Sequence, residues 1–279
     1  MAGILYVVAT PIGNLEDVTL RALKVLRDVS LVAAEDTRRT ARLLQHYSIS
    51  TPTTSLHEHN ERQKTPALLE RLEKGESIAL VSDAGTPVVS DPGEALVAAA
   101  REAGVRVEPI PGPSAVMAAI AASGLPSREF TFLGFAPSRS KDRKLWLKKL
   151  TGESRLAVFF EAPHRILGTL TDLGAVIGLD ARVCIARELT KVHEELVTRP
   201  ISELLEVFKQ PIGEFTVLVP PRDSAQEAVA VPGRTELMDE FGDLTNTQHL
   251  KRREALKILA ERHGMAVNAL YKLLGGAKS

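Results

Sequence analysis

The sequence predicts an α/β protein of two α/β domains with a small helical segment at the C-terminal end. Three observations predict it. Short apolar runs alternate with longer stretches of helical periodicity, the pattern of parallel strands joined by crossover helices. At 279 residues the chain exceeds one ordinary core. After Leu125-Pro126-Ser127 a second series of strand-like and helical stretches begins. The expected partition is residues 1–115 and 116–220 for the two α/β domains, 221–244 for a linker, and 245–279 for the helical segment.

In the first series, Ile4 to Ala9 reads as a buried strand, and Leu20, Leu23 and Leu26 follow at helical spacing behind Asp17 and Thr19 as caps. Ser30 to Ala34 is a strand candidate and Thr37 to His46 a helix with Leu43 and Leu44 on its apolar side. Ile78 to Val81 and Val105 to Ile110 are strands on either side of the alanine-rich helix Glu94 to Ala103. The alternation predicts a mostly parallel sheet covered on both faces. In the second series Phe130 to Phe135, Leu156 to Phe160, Arg182 to Ala186 and Phe215 to Val219 are strand candidates. Lys144 to Leu150, His164 to Leu173 and Ile201 to Phe208 are the helices between them. Pro220, Pro221 and Pro232 mark the linker, and Gly264 divides the last helical pattern into two.

Composition narrows the class. Aromatic residues are 4% of the chain, so Leu, Val and Ala fill the cores. A single cysteine, Cys184, excludes an internal disulfide and sits in an apolar run as a buried thiol, consistent with a reducing, cytoplasmic setting. No apolar stretch approaches ~18 residues, so neither a membrane span nor a signal peptide is expected. The formal net charge is zero, which disfavours nucleic-acid binding unless the charges are segregated.

Three of the strands end alike. Ile4 to Ala9 runs into Thr10-Pro11-Ile12-Gly13-Asn14, Ile78 to Val81 into Ser82-Asp83-Ala84-Gly85-Thr86-Pro87, and Val105 to Ile110 into Pro111-Gly112-Pro113-Ser114-Ala115. Small residues admit a ligand to the backbone and proline fixes the loop, and ligands bind beyond the carboxyl ends of parallel strands. Turn chemistry uses the same residues, but three such loops in one half-chain favour a shared site. Neither G-x-G-x-x-G nor G-x-x-x-x-G-K-[ST] is present, against dinucleotide and triphosphate folds.

The runs LYVVATPIGNLED (5–17), AAEDTR (33–38), LHEHNE (56–61), LVSDAGTPVVSDPG (80–93), PGPSA (111–115), SGLP (123–126), HRI (164–166) and ARELTK (186–191) occur in order. In these the chain resembles the 16S ribosomal RNA cytidine 2′-O-methyltransferase family, a branch of the tetrapyrrole methylase superfamily, the class III methyltransferases. The resemblance covers about residues 4–219 and, more loosely, the C-terminal helices. It implies a tetrapyrrole methylase-like fold, a homodimer, and S-adenosylmethionine as methyl donor in the cleft between the domains. It implies as acceptor the 2′-hydroxyl of a decoding-centre cytidine in 16S rRNA of the small ribosomal subunit. On matching positions the donor meets Pro11, Ser82, Asp83, Ala84, Thr86, Pro87, Asp91, Ser114 and Ala115. Ala121 and Ala162 stand where polar residues are also acceptable.

Methyl transfer from a sulfonium needs alignment and help in removing the acceptor proton, but no metal. Candidates are Glu35, Asp36, Arg38, His57, Glu58, His59, Glu188 and Lys191, with Glu188, Lys191 and Asp36 foremost and the base unassigned. Asp36 equally suits an N-cap, and Arg38 suits an RNA phosphate. The H-x-H of His57 and His59 lacks further ligands for a metal, so His57, Glu58 and Asn60 read as polar substrate contacts or as a capping turn. Lys and Arg cluster at 139–149, including Arg139, and from Lys251, Arg252 and Arg253 to Lys272, both candidate RNA surfaces. With few aromatics for stacking, phosphate and shape recognition is expected. The competing readings are a methylase of a small tetrapyrrole and a non-catalytic RNA-binding assembly factor. The basic clusters oppose the first and the strand-end loops the second.

Overall fold

The computed structural model describes residues 2–221, 234–247, 250–262, 270 and 274. Strands and helices alternate through the first half: β1 Ile4–Val8, α1 Leu20–Asp28, β2 Leu31–Ala34, α2 Thr37–His46, β3 Thr53–Ser55, α3 Glu61–Glu73, β4 Ile78–Val81, α4 Glu94–Glu102, β5 Arg106–Ile110 and α5 Ala115–Ser123. The second half continues with β6 Phe130–Phe135, α6 Ser140–Lys148, β7 Leu156–Glu161, α7 Ile166–Ile177, β8 Arg182–Arg187, β9 Glu195–Pro200, α8 Ile201–Val207 and β10 Phe215–Val219. Residues 1–220 form one compact unit and 221–279 another, the latter carrying α9 Arg234–Gly242 and α10 Arg252–Arg262. No described helix is long and apolar enough to cross a membrane.

The first sheet is wholly parallel, in the order β3-β2-β4-β1-β5. Its inner strands β2, β4 and β1 are apolar because both faces are covered, whereas the edges β3 and β5 carry polar residues. Val32, Ala34, Ala79 and Val81 face α1 and α2 through Leu23, Leu26, Leu43 and Leu44. Leu31, Ala33, Ile78 and Leu80 face α3 and α4 through Leu68, Leu72 and Leu96. The second sheet, β6-β7-β10-β8-β9, is mixed: β6 and β7 are parallel and the other pairs antiparallel. One face packs on α6, α7 and α8 around Phe159, Leu170, Ile185 and Val217. The other packs on α5, with Cys184 fully buried among Val116, Ala119 and Leu218.

Several elements differ from the sequence expectation. Helix α5 (AVMAAIAAS) has almost no polar residue to mark a face, so its periodicity is silent. Ser114 caps it through the Met117 N–H, and Gly124 ends it in the left-handed region. Strand β9 (ELVTRP) is a charged edge strand, and β3 is a three-residue polar edge. Part of the expected linker is helical: in α9, Leu237 is buried with Leu244, Leu256, Leu259 and Leu270 in the small unit's own core. In that unit Lys251 and Arg252 are exposed, and the Arg252 guanidinium lies 5.6 Å from the Phe241 ring centroid. The side chain of Arg253, the Gly264 break and Lys272 lie outside the described residues.

The basic stretch 139–149 divides. Arg143 is buried and donates to Asp172 at 2.6 and 2.9 Å, tying α6 to α7, whereas Arg139, Lys141, Lys148 and Lys149 are exposed. Breaking a buried pair from one side strands the other charge. Asp172→Ala should therefore lower the unfolding free energy by about 3–5 kcal/mol, read from urea unfolding.

Candidate functional site

The carboxyl ends of β1, β2, β4 and β5 are laced to one another. The Thr10 N–H donates to the Gly85 carbonyl at 2.8 Å and the Gly85 N–H returns to the Thr10 carbonyl at 2.9 Å. The Thr10 hydroxyl donates to the Ser82 carbonyl at 3.2 Å. The loop after β2 joins by a reciprocal pair: the Asp83 N–H donates to Glu35 Oε2 at 3.1 Å and the Asp36 N–H to Asp83 Oδ1 at 3.0 Å. Thr86 donates its hydroxyl to the Pro113 carbonyl at 3.4 Å, which brings in the loop after β5.

Against these loops stand the ends of the second sheet, leaving a cleft of about 330 Å³. Of the residues expected to hold a donor, Asp83, Ala84, Thr86, Asp91, Ser114 and Ala115 line it. The opposite wall comes from Phe135 of β6, Phe160 of β7, Ala162 just after β7 and Glu214 just before β10, of which the sequence singled out only Ala162. Ala162 is small where the cleft needs room. Pro11 and Ser82 line instead a second cavity of about 400 Å³, with Leu15, Arg39, Arg42 and Lys191. Ile12, Arg39, Asp83, Ala84 and Glu214 line both cavities. Pro87 lines neither.

The first cleft is acidic. Burial, reinforced by the charges of Glu35 and Asp83, pushes the Asp91 carboxyl up to about 6 against the opposing Ser82 hydrogen bond. Burial also raises Glu35, although the Asp83 N–H and Arg39 oppose it. The only cation lining this cleft among the described residues is Arg39, whose Nε lies 3.4 Å from Asp83 Oδ2.

The foremost acceptor-side candidates are all engaged. Lys191 Nζ donates to Glu188 Oε1 at 2.7 Å and to Glu214 Oε2 at 3.1 Å. Burial opposes the ammonium, but the two carboxylates outweigh it and raise its pKa. Burial would raise Glu188, yet Lys191 and the Glu214 N–H hold it below the ordinary carboxylate value. Gly213 makes room for this arrangement, since a Cβ there would lie 2.4 Å from Glu188 Cδ. Asp36 caps α2 through the Arg38 N–H at 2.8 Å and accepts two further bonds from the Arg38 guanidinium, which depress its pKa strongly. It lines neither cavity, and neither does Arg38, 88% exposed along its side chain.

His57 and Asn60 form a turn before α3: Asn60 Oδ1 accepts the His57 N–H at 2.9 Å and its Nδ2 reaches His57 Nε2 at 3.0 Å. Glu61 then accepts from the Gly93 and Ala95 N–H groups and so fixes the start of α4. Neither His57, Asn60 nor the exposed Glu58 lines either of these two cavities. Among the described residues no group of three or more His, Cys, Asp or Glu could hold a metal ion.

Two outcomes follow from this geometry. The folded protein keeps the Asp91 proton that an unfolded chain releases near its ordinary value of 3.8, so Asp91 lowers stability as pH rises through about 4 to 6. Asp91→Asn should be more stable than the parent by about 1–3 kcal/mol near pH 8 and equal to it below about pH 4, measured by denaturant titration. Gly13 packs on the 188–191 loop so closely that a Cβ would lie 2.5 Å from Lys191 Cγ and 2.7 Å from Thr190 Oγ1. Gly13→Ala should cost about 1–3 kcal/mol and speed hydrogen exchange at the Asn14 N–H, which donates to Thr190 Oγ1 at 3.0 Å.

Residues 4–205 match the family model for tetrapyrrole (corrin/porphyrin) methylases. The chain is 48% identical over 277 residues to a Vibrio cholerae protein named ribosomal RNA small subunit methyltransferase I, covering 97% of this chain and 94% of that one. Among solved structures, a diphthine synthase superposes with a TM-score of 0.64 at 18% identity, over 78% of this chain and 90% of its own. A uroporphyrin-III C-methyltransferase from Thermus thermophilus complexed with S-adenyl homocysteine gives 0.56 at 18% identity, over 78% and 97%. With the parallel sheet, the laced strand ends and the cleft against the second sheet already in place, the chain belongs to the tetrapyrrole methylase family.

Proposed function

We propose that this protein transfers a methyl group from S-adenosylmethionine to the 2′-hydroxyl of a decoding-centre cytidine in 16S rRNA of the small ribosomal subunit. The relative that is 48% identical across nearly the whole chain supports the substrate class. The geometric observation that carries the reading is a pair of adjoining cavities whose linings differ in charge: Glu35, Asp83, Asp91, Glu161 and Glu214 outnumber Arg39 in the first, while Arg39, Arg42 and Lys191 outnumber Asp83 and Glu214 in the second. The first suits a cationic donor and the second admits an anionic group beside its cations.

The donor, when bound, supplies a methyl group on a positively charged sulfur. The small side chains of Ala84, Ala115 and Ala162 admit it, and the carboxylates complement its charge. Hydrogen bonds lace the loops to one another, and prior alignment of this kind supplies about 7–11 kcal/mol in well-oriented reactions. On the acceptor side Lys191 is held protonated and stabilises negative charge on an attacking oxygen. Asp36 serves the start of α2. The reading includes a homodimer in the cytoplasm, on the family resemblance.

Purified protein incubated with methyl-labelled donor should label the small subunit, with the label on a ribose oxygen. Label appearing only on a tetrapyrrole precursor would move the protein to the other branch of its family. Label on neither, by folded protein that binds no donor in a calorimetric titration, would refute methyl transfer altogether.

A further inference from the structure

Helix α2 carries Arg38, Arg39 and Arg42, and they are not equivalent. Arg39, Arg42 and Leu43, three and four residues apart, share the face that lines the second cavity. Arg38, four residues before Arg42, also neighbours it on the helix, but its guanidinium binds back on Asp36 and lines neither cavity. Two of the cations in the cavity already have partners: Lys191 has Glu188 and Glu214, and Arg39 has Asp83. The Arg42 guanidinium makes no hydrogen bond or ion pair with any described residue, and Arg42 is exposed at the rim. Beside it Ile12, Leu15 and Leu43 give the cavity an apolar wall.

A cavity of about 400 Å³ with an apolar wall, an unpartnered guanidinium and a direct join to the donor cleft has the features of a single-nucleotide site. Unpaired segments of folded RNA present splayed-out nucleotides that such a pocket can take. A guanidinium grips a phosphate with two parallel N–H donors. We infer that the second cavity receives the acceptor nucleotide of the RNA strand, and that Arg42 holds a phosphate next to that nucleotide. Arg39, shared by both cavities, stands between this phosphate and the donor cleft. The path from phosphate to methyl donor then runs past Ile12, Asp83 and Ala84, which the two cavities share. The inference rests on the RNA-acceptor reading above and assigns to Arg42 the phosphate role that the sequence suggested for Arg38.

The test uses the full chain, isolated small subunits and S-adenosylmethionine, with Arg42→Ala, Arg42→Lys and Arg38→Ala beside the parent. For Arg42→Ala, the plot of log affinity for subunits against log salt should become shallower by about 0.7, the share of one single-strand phosphate contact. Its KM for subunits should rise about tenfold, with kcat changed less than twofold and donor affinity unchanged. Arg42→Lys should keep the parent slope while recovering only part of the KM, because charge survives but the two-pronged grip does not. Arg38→Ala should match the parent in every measurement. A parent-like slope and KM for Arg42→Ala overturns the inference, as does an equal loss in Arg38→Ala. A parent protein that labels no subunit at all overturns the RNA-acceptor reading itself, a result separable from either of these.

Discussion

The site depends on one short antiparallel bridge, between Thr10 and Gly85. Strands β1 and β4 are parallel neighbours, so their exits lie side by side at the sheet edge, where the ladder stops and backbone groups would be left unpaired. The bridge pairs both groups of Thr10 with both groups of Gly85, and it turns the two exits into a common wall. Gly85 adopts φ +81, and its nearest neighbours would sit 3.5 Å or more from a Cβ. Conformation, not space, demands glycine there. The wall so made has one cavity on each side, with Asp83, Ala84 and Ile12 lining both. Further ties are made to this wall: Glu35 and Asp36 through Asp83, Pro113 through Thr86, and the 188–191 loop through Gly13.

Backbone strain gathers around the same place. Val88, Ser90, Glu188 and Thr190 all hold positive φ without being glycine, and each such residue costs on the order of 1–3 kcal/mol. Ser90 lines the first cleft, with Val88 two residues before it on the core, and a Cβ on Gly134 of β6 would lie 3.4 Å from Ser90 Oγ. Glu188 and Thr190 flank Lys191, which lines the second cavity. There the loop is over-determined by Thr190 N–H to Glu194, by Lys191 N–H to the Glu188 carbonyl, and by the Lys191 ion pairs. Strain held by so many bonds marks a segment whose shape matters more than its ease of folding.

Much of the first half was legible because its signals are local. Strands buried on both faces write themselves as unbroken apolar runs, and Ile78–Val81 does so while sending alternate residues to two cores. The loops at 10–14, 82–87 and 111–115 announced themselves by composition alone. What stayed hidden is what tertiary packing decides. The pairing β7-β10-β8-β9 joins segments far apart in the chain, and no periodicity encodes its order. Phe135, Phe160 and Glu214 reach the cleft only because the second sheet's ends meet the first sheet's loops. Nor does periodicity choose among the arginines of α2: Arg38 and Arg39 stand four and three residues before Arg42, so helix phase brings either beside it, and only the return of the Arg38 guanidinium to Asp36 separates them.

A formal net charge of zero looked unpromising for a protein that handles RNA, because phosphate binding is a matter of cations. The structure turns the question from total charge to its placement. Acidic residues are drawn into the cleft between the sheets, where Glu35 and Asp91 are buried enough to raise their pKa values. Cationic side chains line the neighbouring cavity, and Arg39 and Asp83, which line both, make the ion pair at the join. Opposite charges side by side offset each other at long range, but a group placed inside either cavity meets the nearer lining. On the proposed function a cation enters the first cavity and an anion the second. Their meeting point is then the Asp83–Ala84 wall, the short segment held by the Thr10–Gly85 bridge.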